Sequence, residues 1–397
     1  MIPFRKSLLW IALITLLSTL SGVPVSTAAV LIVLGRVQSM KLLTVDVGWA
    51  TIDSVSLPGG QTGRLFWTSD AGANWKDITP PAQPAARIES VFFLDPERGW
   101  VLLLDLSRGG DTTRFEVAST SNAGASWSIS RVNTEAMIPT NRATLIGQGR
   151  IVFSDGLHGW MNLDVQSSSA FQLGATLMTV DGGQTWKLPP DSPWVAGDLA
   201  PVSPNDVWLA GGSGEKLYVT HNAGRSWQQL ELKAPGESGL AVYATYDVPA
   251  FSDAKHGALP VTYSAPNTNS EAVLFKTDDG GLTWKPDRIL GDLRESSIGQ
   301  KVVSTVSGSV WMVATVSDNQ LILWAIAPNS RTCNDVTKFT HQKVVKWATA
   351  DQLSFADAKR GWMLFCRSSI FYVRWRSHLV TRGNSKSAPN RSEFLAL

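Results

Sequence analysis

TSDAGANW, Thr68–Trp75, is a polar turn to which the chain returns four more times. The same eight-residue frame, Thr-x-[Asp/Asn]-x-Gly-x-x-Trp, recurs as TSNAGASW from Thr120, TVDGGQTW from Thr179, THNAGRSW from Thr220 and TDDGGLTW from Thr277. A recurring frame at regular spacing marks a repeat architecture, so the period decides the fold before any single residue does. A second element precedes each box. It is a Gly-Trp turn, in VDVGWATI (Trp49), FLDPERGWVLLL (Trp100), FSDGLHGWMNL (Trp160), VSPNDVWLAG (Trp208), FSDAKHGALPV (Ala258 in the Trp slot), VSGSVWMVA (Trp311) and FADAKRGWMLF (Trp362). The seven turns follow one another at intervals of 48 to 60 residues. That is the length of one four-stranded propeller blade with its loops.

The segments between these elements are short, alternating or continuously apolar, as in RIESVFFLD, GWVLLLDL, TRFEVAST and SWSISRV. They read as strands A to D, with the Gly-Trp turn joining A to B and the box joining C to D. The expected fold is therefore all-β: a seven-bladed β-propeller of four-stranded antiparallel blades over residues 29–380. The sixth and seventh repeats keep strand character in LILWAIAPNS and IFYVRWRSHLV but have no box. The seventh is short of a fourth strand, which AVLIVLGRV, near the N-terminus, is expected to supply. Residues 381–397 are polar and unpatterned and read as a flexible tail.

The box residues have a structural rationale. The Asp or Asn (Asp70, Asn122, Asp181, Asn222, Asp279) accepts turn N–H bonds. The Gly (Gly72, Gly124, Gly183, Gly224, Gly281) takes the positive φ of a tight turn. The Trp (Trp75, Trp127, Trp186, Trp227, Trp284) buries a large ring. Asn cannot act as a general acid or base, so a slot shared by Asp and Asn is not catalytic. His158 and His256 occupy a turn slot held elsewhere by Arg98 and Arg360, which speaks against a metal ligand. No metal, cofactor or catalytic residue is assigned. GGSGEK, Gly211–Lys216, lacks P-loop spacing and reads as a B to C hairpin.

Thirty-five basic and 33 acidic residues give a net charge of +2 with no long run of either sign, which points away from nucleic acid. Cys333 and Cys366 are the only cysteines. They exclude a disulfide scaffold and leave two readings open, one bridge or two free thiols. Residues 1–28 combine Arg5 and Lys6, the apolar run SLLWIALITLLSTL and a small-residue stretch, the pattern of an export signal. The alternative is an uncleaved membrane anchor. Either places the chain outside the cytoplasm, in the periplasm, a lumen or at the cell surface.

The frame resembles the Asp-box, or BNR, repeat of sialidases and other propellers. Combined with an Asp-x-x-x-Gly-Trp turn in each repeat, the chain more closely resembles the photosystem II stability and assembly factor family over residues 37–380. The resemblance implies a non-enzymatic extracytoplasmic scaffold, a monomer, that binds another protein at the membrane or envelope. The rival reading is a sialidase-like glycan hydrolase or a glycan-binding propeller. The Phe/Tyr-Arg-Ile-Pro motif of sialidases is missing, and Tyr243, Tyr246 and Tyr263 are the tyrosines left for a nucleophile. If boxes and Gly-Trp turns share one face, the D to A and B to C connections carry function on the other. The candidates for partner binding are Trp194 in KLPPDSPWVAGD, Tyr243 and Tyr246 in LKAPGESGLAVYATY, and Arg288 and Arg294 in KPDRILGDLRESS.

Overall fold

A computed structural model describes residues 36–53, 63–81, 86–105, 114–134, 137–138, 144–166, 173–212, 215–235, 243–264, 270–293, 301–304, 311–317, 320–326, 336–339, 350–357, 360–365, 369–374 and 394–396. The described strands are antiparallel throughout and form seven sheets of consecutive strands. In the second sheet, Ala86–Phe93, Gly99–Asp105, Arg114–Thr120 and Ser128–Val132 pair in chain order, and this is the pattern for the rest. The Gly-Trp turn joins A to B and the box joins C to D, as the repeat implies. First strands of successive sheets touch, as Ala86–Phe93 touches Thr144–Phe153 and Arg36–Leu42 touches Ala350–Asp357. Strands A are therefore the inner strands.

Three sheets depart from the expected pattern. The third has strands Thr144–Phe153, Gly159–Gln166 and Leu173–Thr179, and its fourth position is reduced to one bridge, Met178 to Lys187. Pro189 and Pro190 follow at once and have no N–H for a ladder. In the fifth sheet strand A is split into Tyr243–Tyr246 and Ala250–Phe251, both paired with Gly257–Ser264, and Pro249 lies in the break. The seventh sheet takes its fourth strand from Phe394–Ala396, which pairs with Ser369–Arg374. That corrects two expectations. Three residues of the presumed tail are a strand, and they hold the place beside Ser369–Arg374 that was expected of AVLIVLGRV, of which only Arg36 and Val37 are described, at the start of strand A of the first sheet. Residues 1–35, where the export signal is expected, and both cysteines lie outside the described residues. Among the described residues no helix is long and apolar enough to cross a membrane.

The A to B turns are built alike. The residue four before the Gly-Trp slot's Gly accepts two turn N–H bonds: Asp95 Oδ1 from Glu97 and Arg98, Asp155 Oδ1 from Leu157 and His158, Asp253 Oδ1 from Lys255 and His256. Thr44 and Ser203 do the same with their hydroxyls in the first and fourth sheets. His158 and His256 lean their Nδ1 on Asp155 and Asp253, as Arg98 leans its guanidinium on Asp95. They are turn residues. GGSGEK is the expected hairpin: strands Val207–Gly211 and Lys216–Thr220 flank it.

Candidate functional site

The five boxes have one geometry. The Thr hydroxyl accepts the Gly N–H at 2.8–3.0 Å, in Thr68–Gly72, Thr120–Gly124, Thr179–Gly183, Thr220–Gly224 and Thr277–Gly281. Oδ1 of the Asp or Asn accepts the Thr hydroxyl and the N–H four residues on: Asn74, Ser126, Thr185, Ser226 or Thr283. Asn changes only the outer bond. Asp181 and Asp279 accept on Oδ2 from a Thr hydroxyl, whereas Asn122 and Asn222 donate Nδ2–H to a Ser hydroxyl at 2.8 Å. The hydroxyl and amide of Thr283 hold the Asp279 carboxyl down to about 2. The residue before each box Gly donates its N–H to a carbonyl of the A to B turn in the same sheet, as Ala123 does to Glu97 and Gly280 to Lys255, both at 2.9 Å. Boxes and Gly-Trp turns thus lie together at one end of each of the first five sheets.

The box also contacts the preceding sheet. Trp160 of the third sheet meets Trp227 of the fourth edge-on, at 5.9 Å between centroids, and Trp208 of the fourth meets Trp284 of the fifth at 5.6 Å. A Cβ on Gly224 would lie 2.6 Å from Trp160, and one on Gly281 would strike Trp208. Trp100 of the second sheet stacks on Phe153 of the third at 3.7 Å and donates its indole N–H to Gly182. Trp127 packs in one cluster with Trp49 and donates to the Ile78 carbonyl of the first sheet. Trp362 of the seventh sheet meets Trp75 of the first. Each of the five boxes thus packs against the Gly-Trp indole of the sheet before it.

Chemistry-bearing side chains gather instead along the inner strands of the second to fourth sheets. Arg150, on Thr144–Phe153, reaches Asp164 Oδ1 on its own sheet at 3.3 Å and Asp198 Oδ1 on the next at 2.5 Å. Arg87 pairs with Glu89 on Ala86–Phe93. The register skips Glu89, between Ile88 opposite Leu103 and Ser90 opposite Leu102, so a bulge presents it. The same skip falls at Gln38 in the first sheet and at Asp351 in the seventh, each against the residues two and three after the Trp. Glu89 and Asp164 are largely covered, at 7% and 13% side-chain exposure, while Asp198 is 62% exposed. Burial pushes the Glu89 carboxyl up against the pull of Arg87. Burial likewise raises Asp164, against Arg150 and with Asp198 adding to the rise. Among these five side chains three carboxylates face two guanidiniums.

Of the candidates for partner binding whose side chains are described, Tyr243 stands clear, 65% exposed at the leading end of its strand. Tyr246 is buried, a correction: its hydroxyl accepts the Leu232 N–H at 3.1 Å, while Tyr263 donates to the Leu232 carbonyl at 2.9 Å. Trp194 is half-buried against Ile138, Val165 and Ala175, a packing residue. Arg288 sits within strand Lys285–Leu293 rather than in a loop, opposite Leu274. Arg294 lies outside the described residues. The sequence reading missed Arg87, Glu89, Arg150, Asp164 and Asp198. A charge inside an otherwise apolar inner strand, as in ARIESVFF, was the available signal. Among the described residues no three His, Cys, Asp or Glu converge as a metal site.

No protein-family model matches the chain, and no curated protein matches it. Solved structures do. YCF48 bound to a D1 peptide is 15% identical, with a TM-score of 0.52 over 87% of this chain and 93% of its own. The GH74 xyloglucanase of Xanthomonas campestris is 13% identical, with a TM-score of 0.56 over 86% of this chain and 52% of its own. A Hadza microbial sialidase is 13% identical, with a TM-score of 0.44 over 70% and 63%. At these identities the first two likenesses are of fold, and they make this an all-β chain of antiparallel, mostly four-stranded sheets arranged as in the β-propellers.

Proposed function

We propose that the chain is a closed seven-bladed β-propeller, exported from the cytoplasm, that serves as a scaffold for another protein at the membrane or cell envelope. The Trp362–Trp75 contact supports closure, as does Ser354, whose hydroxyl accepts the Leu42 N–H at 2.8 Å between the last and first sheets. The observation that carries the function is the state of the side chains a hydrolase would need. The inner carboxylates are engaged by Arg87 and Arg150, and Tyr246 and Tyr263 are spent on Leu232. A glycosidase needs an acid and a second carboxylate facing a sugar. Among the described residues, Asp198 and Tyr243 are accessible at the end away from the boxes, each near the start of its inner strand. A fold neighbour that holds a peptide supports a protein ligand; the xyloglucanase and sialidase keep glycan hydrolysis or glycan binding as the second reading.

A photo-crosslinking residue at Tyr243, introduced in the native host, tests this. A specific envelope protein is expected to crosslink, to be lost with Asp198→Lys and to be retained with Asp279→Asn. Release of sugar from xyloglucan or a sialoside by the purified chain, with no crosslink, would overturn the scaffold reading.

A further inference from the structure

The outer half of the second sheet carries a feature unrelated to boxes or inner strands. A cavity of about 360 Å3 is lined by Arg114, Arg131, Val132, Asn133 and Thr134. Strand C begins at Arg114 and strand D ends at Val132, and the ladder sets Phe115 opposite Val132 and Glu116 opposite Arg131. Both guanidiniums therefore come to the same end of the C and D pair. Arg114 Nε is buried and has no hydrogen-bond partner. An unpaired buried guanidinium N–H is costlier than a neutral one, and a native structure that keeps it has a reason to.

The neighbouring acids do not supply the missing acceptor. Asp105, opposite Arg114 on the ladder, is engaged in an interaction of its own. Glu116 is part-buried, and burial and then Asp105 raise its carboxyl against the pull of Arg131. A planar guanidinium fork fits a carboxylate, sulfate or phosphate, and the cavity is within the ~300–1,000 Å3 range of small-molecule sites. We propose that this cavity is an oxyanion site for a molecule of about monosaccharide size. Arg114 donates from the buried side, Arg131 from the exposed side, and Asn133 and Thr134 bind the neutral part of the ligand.

Isothermal titration of the purified chain with glucuronate, sulfate, phosphate and glucose tests it. The three anions are expected to bind and glucose is not. Arg114→Met and Arg131→Met should each weaken binding about tenfold, the loss of a charge-assisted hydrogen bond, with Arg114→Lys between them and the native chain. Glucuronate above sulfate identifies a sugar acid, and equal affinities a bare oxyanion; both support the site. Glucose binding as well as glucuronate, no anion binding, or full affinity in a folded Arg114→Met would overturn it. If Arg114→Met does not fold, full affinity in Arg131→Met, altered on the exposed side, overturns it equally.

Discussion

The joint between the fourth and fifth sheets differs from the joint between the fifth and sixth at one slot on each side. In the first, Trp208 is fully buried, edge-on to Trp284 and pressed against Gly281 of the next box. In the second, Ala258 occupies the Trp slot, equally buried, and the sixth repeat has no box to receive an indole. At this joint both halves of the contact are absent, though they belong to different repeats, whereas Trp311 keeps its slot before a seventh repeat that also has no box. Where a box is present, it and the preceding sheet's Gly-Trp turn form one contact divided between neighbours. Burying ~200 Å2 of indole at about 25 cal/mol per Å2 gives an upper estimate of ~5 kcal/mol per junction, more than any turn hydrogen bond supplies.

The largest effect expected from this comparison is that of Trp208→Ala, a loss of about 3–5 kcal/mol in chemical denaturation. Hydrogen exchange should quicken in the Thr277–Trp284 box, whose receiving Gly loses its partner, and not in the Thr68–Trp75 box. A loss below about 1 kcal/mol would dissolve the distinction between the two joints. Gly281→Ala attacks the same contact from the other side. Its φ of 90° is strained for any Cβ, and the new methyl group would strike Trp208. A cost of about 2–3 kcal/mol is expected, and thermal melts that match the native protein would refute the close approach.

Much of this architecture was legible because period, turn chemistry and large aromatics are local signals. The junction contact was half legible: the sequence shows that Ala258 stands before a repeat without a box, but not that the two slots touch. The inner cluster was not legible. Arg150 and Asp198 lie 48 residues apart and meet only because first strands of successive sheets lie side by side. Glu89 is turned by a bulge, which the alternation of ARIESVFF does not announce. Tyr246 was misread as a loop residue because its backbone partner, Leu232, stands in a preceding connection that no strand pattern marks. The strand Phe394–Ala396 is too short to carry a pattern of its own.

Asp279→Asn probes the part of the box that faces solvent, away from the junction. At neutral pH a change within about 0.5–1 kcal/mol is expected, because Asn122 and Asn222 make the same Oδ1 bonds. The pH dependence should differ. The native carboxyl sits at about 2, below its unfolded value of ~3.9, so its contribution is full above pH ~4 and is lost as pH falls toward 2. Acid titration of stability should show a shallower loss in Asp279→Asn across that window. Identical acid curves would mean that the Thr283 bonds do not discriminate the charged form.

The smallest effect belongs to the slot before the box Gly. Ala71, Ala123 and Ala223 hold φ of 60°, 55° and 57°, where Gly182 and Gly280 hold 75° and 78°. A left-handed Ala costs about 1–2 kcal/mol, which Ala123→Gly would release. The same substitution adds about 0.4–1 kcal/mol of unfolded-chain entropy and removes a methyl packed beside Trp127. These terms oppose one another, so Ala123→Gly should lie within about 0.5 kcal/mol of neutral in chemical denaturation. Gly280→Ala should cost more, since its Cβ would stand 3.0 Å from the Ala254 carbonyl. The slot one residue on is Gly in all five boxes, at a positive φ in each, and a Cβ there would strike the neighbouring sheet's indole at Gly224 and Gly281 and Ile78 at Gly124. A gain above 1 kcal/mol in Ala123→Gly would show that strain, rather than the junction, limits the boxes that carry Ala.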